Sequence, residues 1–304
     1  MRGDHWLRRL KPDPLNLSVN TGVGKQMTQF YLMSSIHYIG GCFFYLSWED
    51  EMKKILNWII PLLLPILIIL IWEIGVWAFD VPLYLLPAPS KIIKALFYNF
   101  NDILPHMLLS LWEATLGLAI SIILAIVLAI LMDIYPTFQR AFYPIMVVSQ
   151  SIPTIVLAPL FMIYFGFGIT PKVITVVLMC FFPIAVSLVD GLGQVSPEII
   201  NLLRTMGANK FDIYRIAKLP SAMTYFFSGL RVAATYSIMG AVVGEWLGGN
   251  GGLGFYMIRV KNAYMLDKVF AVVLLVMILS LAMNGCVRIL EYSLVPWTRK
   301  TKDI

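Results

Sequence analysis

Six apolar runs, each long enough to cross a bilayer as a helix, constrain this chain more than anything else in it. They occupy residues 55–79, 108–132, 142–165, 173–189, 225–243 and 269–287. At about 1.5 Å of rise per residue, roughly 20 residues traverse the hydrocarbon layer. Within that layer the backbone must satisfy its own hydrogen bonds, and runs of this length do so as helices. The expected fold is therefore an all-α polytopic membrane protein with six transmembrane helices. Composition agrees: hydrophobic residues fill 59% and charged residues 13% of the 304 positions, far from the usage of water-soluble domains. A formal charge of +6 would suggest nucleic acid in a soluble chain. Here the basic residues border the apolar runs, where they orient the protein among membrane lipids, and no nucleic-acid partner is expected.

With the amino end in the cytoplasm, eleven Lys and Arg from Met52 onward fall inside, against six outside: Lys91, Lys94, Lys172, Arg259, Lys261 and Lys268. The positive-inside rule then places both termini in the cytoplasm. Pro61, Pro65, Pro144, Pro153, Pro159 and Pro183 lie in or near the runs and are expected to kink helices without replacing them by loops. Between the first two runs, Leu86-Pro87-Ala88-Pro89-Ser90 precedes an amphipathic segment at 91–100, with Ser90 as its candidate cap. Residues 1–51 differ from the rest: five basic residues and a Pro-rich Lys11-Pro12-Asp13-Pro14 precede an uncharged but polar-interrupted run at 30–48. They fit neither a good span nor a signal peptide. They are read as an atypical extension, either an accessory interfacial segment or a stretch outside the native protein; on the second reading translation is expected to start at Met52, with 52–304 forming the membrane domain.

One polar segment, 196–220, interrupts this pattern on the cytoplasmic side. Ser196 is a candidate N-cap, Pro197 suits the first helical position, and Glu198 lies where the helix dipole favours an acid. Ile199, Leu202, Leu203 and Met206 form one apolar stripe, Gly207 closes the helix, and Asn209 caps a second helix that Leu219-Pro220 is expected to stop. The segment resembles the coupling loop of ABC importer permeases, whose pattern is Glu-Ala-Ala, three residues, Gly, nine residues, Ile, one residue, Leu-Pro. Gly207, Leu219 and Pro220 fall in register, whereas Asn201-Leu202-Leu203 replaces Glu-Ala-Ala and Ala217 replaces Ile. The resemblance implies a type I importer permease whose residues Asn201, Leu202, Leu203, Met206, Gly207, Ala208, Leu219 and Pro220 contact a cytoplasmic ABC ATPase.

Further on, Gly244-Glu245-Trp246 leads into Leu247-Gly248-Gly249-Asn250-Gly251-Gly252-Leu253-Gly254. Gly249, Gly251 and Gly254 satisfy Gly-x-Gly-x-x-Gly, but a dinucleotide fingerprint must follow a strand, and here a membrane run precedes it. No Gly-Lys-Ser/Thr phosphate loop occurs in the chain. The stretch is similar to permeases of the nitrate, sulfonate and taurine branch. Its continuation through Phe270 resembles the members assigned to the pyrimidine precursor of thiamine.

Charges within apolar surroundings are functional candidates by default. Glu113, Arg231 and Glu245 are assigned to pathway or packing, with snorkelling or a helix-to-helix pair equally open for Arg231; Glu73 is a weaker candidate. Cys42, Cys180 and Cys286 are far apart, and the three histidines form no His-Glu-x-x-His, so neither a disulfide framework nor a metal or catalytic centre is expected. As the resemblance implies, two copies form a pathway in the bacterial cell membrane, separate ATPases bind ATP-Mg, and an extracytoplasmic solute-binding protein delivers a small polar solute. The alternative is an ion-coupled secondary transporter, although no repeat relates the first and last three runs.

Overall fold

A computed structural model describes residues 63–246 and 249–297. The readings of residues 1–51 and of a start at Met52 lie outside them. The chain divides into two units, Met1–Leu70 and Ile71–Ile304. Of the first, residues 63–70 are described, as the beginning of an apolar helix, α1, Leu63–Ala78.

The second unit continues from α1 with α2 (Pro89–Tyr98), α3 (Phe100–Ile134), α4 (Pro136–Ser149), α5 (Thr154–Phe165) and α6 (Ile169–Leu192). After it come α7 (Pro197–Thr205), α8 (Lys210–Ile213), a π-helical turn at Tyr214–Lys218, α9 (Leu219–Trp246), α10 (Leu253–Asn262) and α11 (Leu266–Leu294). No strand occurs among the described residues. Among the described residues four helices are long and apolar enough to cross a membrane, and α4 with α5 supplies a fifth if the bent pair is one span. Four of the six expected runs, 108–132, 173–189, 225–243 and 269–287, lie wholly within helices; the run 142–165 is split between α4 and α5, and the first is described only from Leu63.

The core is built on α6, which packs chiefly against α9 and then α3. Those faces carry small residues: Ala114, Gly117 and Ala125 on α3, and Ala233, Ala234, Gly240 and Ala241 on α9. In lipid, helices gain little from apolar burial as such, and close backbone approach is what holds them together. Val176 of α6 shows how tight this is. A Cβ placed on Gly117 would lie 2.5 Å from its side chain, and one on Gly240 would lie 3.1 Å from its Cα.

Three local expectations are corrected. Pro153 does not merely kink its span: α4 and α5 meet at 97°, with residues 150–153 outside the helices. Proline disfavours helical geometry in the residue before it and cannot donate back, so the chain restarts at Pro153, the N-cap of α5. Ser90 is not a cap either. Ala88 holds that position in α2, and the Ser90 N–H and hydroxyl donate to Glu73 at 3.0 and 2.7 Å, so that Glu73 serves the helix N-terminus from α1. Finally, Leu219-Pro220 does not stop a helix. The π-turn lets the Leu219 N–H reach the Tyr214 carbonyl, and the helix runs unbroken from Lys210 to Trp246 across the proline.

Candidate functional site

Segment 196–220 is a rigid turn between two helices. Helix α7 ends at the C-cap Met206, and Gly207 follows at φ +86°. Ala208 N–H donates to the Leu203 carbonyl and Gly207 N–H to that of Arg204, both at 3.0 Å, which closes the helix in a Schellman motif. Immediately afterwards Asn209 and Asp212 cap each other reciprocally, the Asp212 N–H donating to Asn209 Oδ1 at 2.9 Å and the Asn209 N–H to Asp212 Oδ2 at 3.0 Å. At the other end of α7, Ser196 occupies the N-cap without a side-chain cap bond. The Glu198 carboxyl is held below the usual carboxylate range by its own backbone N–H and then by the Ser196 hydroxyl.

This turn presents an apolar face that the described residues leave uncovered. No residue of α7 is buried; Leu202 is 60% and Met206 75% exposed, with Ile199 beside them. Full burial of one such side chain gains about 1.5–3 kcal/mol, so the face is suited to a partner. Behind it the turn is braced to the bundle. Lys218, in the π-turn, meets both oxygens of Asp133 at the end of α3 at 2.7 Å, and its ammonium lies 5.0 Å from the Tyr214 ring. Displacing the turn therefore pulls on α9 directly and on α3 through an ion pair.

At the opposite end of the bundle three spans share a buried polar cluster. Glu113 of α3 and Glu245 of α9 are each 1% exposed, and Lys172 of α6 is 5% exposed. Lys172 Nζ donates to Glu113 Oε1 at 2.8 Å and to the Gly251 carbonyl at 3.4 Å. Glu245 accepts from the Ser110 hydroxyl at 2.6 Å and from the Gly254 N–H at 2.7 Å. The Leu253 N–H donates to Ser110 Oγ, and the Gly252 N–H to His106 Nδ1. These bonds take up the free N–H groups at the start of α10 and fold the glycine-rich stretch back onto α3. Gly252, at φ +101°, is required here, because a Cβ would fall on the Glu245 carboxylate. The Gly-x-Gly-x-x-Gly pattern is thus a turn that lets backbone approach a buried acid. Arg231 is placed differently: it pairs with Glu291 of α11 at 2.8 Å, apart from this cluster.

Sequence reasoning singled out Glu113 and Glu245 but counted Lys172 among outer basic residues, and it gave Ser110 and His106 no role. The only signal for Lys172 was its place at the start of an apolar run, opposite acids whose partners the sequence does not name. No group of three or more His, Cys, Asp or Glu able to hold a metal occurs among the described residues.

The family described as binding-protein-dependent transport system inner membrane component matches residues 117–296. The formylaminopyrimidine transport permease protein ThiX of Halalkalibacterium halodurans is 37% identical over 250 residues, which are 82% of this chain and 100% of that protein. The taurine transport system permease protein TauC of Escherichia coli is 26% identical over 77% of this chain and 87% of its own. Among solved structures, an inward-facing form of the MetNI methionine ABC transporter covers 61% of this chain and 94% of its own, with TM-score 0.50 and 18% identity, a likeness of fold.

Proposed function

We propose a cargo and a working arrangement for a chain that belongs to the family of binding-protein-dependent transport system inner membrane components, and that is accordingly the permease subunit of an ATP-driven ABC importer in the bacterial cell membrane. Membership in that family sets aside the ion-coupled secondary transporter. An ABC ATPase and a solute-binding protein are the partners that such a permease works with.

In the proposed arrangement two copies of the chain, held in lipid, form the pathway. ATP-Mg binds to the separate ATPase subunits, and this chain carries no catalytic residue. Each ATPase receives α7 and the turn through Gly207. Supporting this is one observation above the others: α7, an amphipathic helix, keeps its apolar face bare while the turn that follows it is locked by a Schellman motif at its own C-terminus and a capping box at the start of α8. Closure of the ATPases on ATP moves this turn, and the π-turn and the Lys218–Asp133 pair carry the motion into α9 and α3.

The cargo is a small neutral pyrimidine of the formylaminopyrimidine kind. ThiX, the relative at 37% identity, supports this choice, as does the resemblance of residues 244–270 to thiamine-precursor permeases. Calorimetry of the cognate solute-binding protein against formylaminopyrimidine, taurine, an alkanesulfonate and nitrate tests it. The expected result is saturable binding of the pyrimidine and none of the three anionic or zwitterionic solutes; binding of taurine, a sulfonate or nitrate alone overturns the assignment.

A further inference from the structure

The 97° break between α4 and α5 opens a cavity of about 320 Å3, at the small end of the range for small-molecule sites. It lies against the middle of α6, at Met179 and Phe182, and of α9, at Tyr236. Irregular backbone at membrane depth is tolerated where it lines a cavity or is buried in protein, and broken spans mark solute sites in other transporter architectures. The lining here is specific in character. None of its ten residues is charged. Gln150, Thr154 and Tyr236 bring an amide and two hydroxyls, and among the described residues none of these three side chains has a hydrogen-bond partner. Ser149, by contrast, is satisfied, donating to the Met146 carbonyl at 2.8 Å. Pro183 also lines the cavity and has no N–H to offer the Met179 carbonyl one turn back, which leaves a backbone acceptor on the same wall. Phe182 supplies an aromatic surface.

We infer that this cavity is the site at which the permease itself holds its solute during passage, and that it selects an uncharged planar heteroaromatic ring bearing both hydrogen-bond donors and acceptors. Donors and acceptors on the ring edge pair with Gln150, Thr154 and Tyr236, and the ring lies among Phe182 and Met179. A sulfonate or nitrate would lose its hydration there with no cation in the lining to compensate, a large cost for a buried charge. Selectivity against anions is thus repeated in the membrane after the solute-binding protein has exercised it. The inference rests on the reading of the chain as a pyrimidine permease.

The test uses proteoliposomes that hold the full chain with its ATPase, supplied with loaded solute-binding protein and radiolabelled formylaminopyrimidine. Tyr236→Phe and Gln150→Leu are each expected to lower uptake at least tenfold at limiting solute, while ATPase activity stimulated by the loaded binding protein stays within twofold of the parent. In a chain with Cys42 and Cys286 replaced by Ser, Thr154→Cys should react with a neutral maleimide, and formylaminopyrimidine but not taurine should slow that reaction at least threefold. If the parent imports the pyrimidine, yet both variants transport within twofold of it and Thr154→Cys is not protected, the cavity is not the site and only this inference falls. If the parent imports taurine and not the pyrimidine, the cargo assignment itself is wrong, and the site falls with it.

Discussion

Lys172 shows how far a single residue can depart from its sequence context. Counted along the chain it is one of six basic residues beyond the apolar runs; in the fold it is buried and bonded to Glu113. What the sequence could not supply was the partner, because Glu113 lies 59 positions away and on a different helix. A buried ion pair contributes little net stability, but removing one member strands the other. Lys172→Ala should therefore cost about 3–5 kcal/mol, seen as a lower unfolding temperature in detergent. Lys172→Met combined with Glu113→Leu should recover most of that loss, since neither charge then remains uncompensated. A double variant no more stable than Lys172→Ala would show that the cluster's importance lies elsewhere. Glu245 was legible as a candidate but not in its role: capping the first turn of α10 needs the glycine-rich stretch to fold back, which only the three-dimensional arrangement reveals.

Among the elements, α7 and its turn were read most completely from sequence. The helix, the left-handed Gly207 and the Asn209 cap all follow from local signals, and local signals depend on neighbours within four residues. The break at Pro153 and the π-turn before Pro220 were not, for a common reason. Whether a proline bends, breaks or is absorbed depends on which neighbouring groups receive the freed carbonyls, a tertiary matter. Gly207 allows a clean test of the turn, because a Cβ there meets nothing within 4 Å and any penalty comes from backbone conformation alone. Gly207→Ala should cost roughly 1 kcal/mol and Gly207→Val more, the β-branched side chain being least tolerant of positive φ. Membrane insertion should be normal for both. Co-purification of the ATPase and solute uptake should fall modestly for the first and sharply for the second, with Lys261→Ala at the other end of the bundle unchanged. Equal, parental uptake by all three would remove the turn from the mechanism.

For the molecule as a whole, the polytopic helical architecture was the most legible feature, since apolar run length is fixed by bilayer thickness. Less legible was how the runs pack, which depends on small residues of α3 and α9 that let larger residues of α6, Val176 among them, approach closely. The proposal joins two ends of this bundle: a bare, braced turn for the ATPase and, at the far end, a turn clamped by Glu245 and Ser110. Its central claim is that α7 is where the ATPase docks, and photocrosslinking in intact cells tests it most directly. A benzophenone amino acid is placed at Leu202 in one strain and at Lys261 in another, each with the complete importer present. The expected result is light-dependent capture of the ATPase from position 202 and never from position 261. Capture of the ATPase from position 261, or its absence at 202 in cells that still import the solute, would contradict the account.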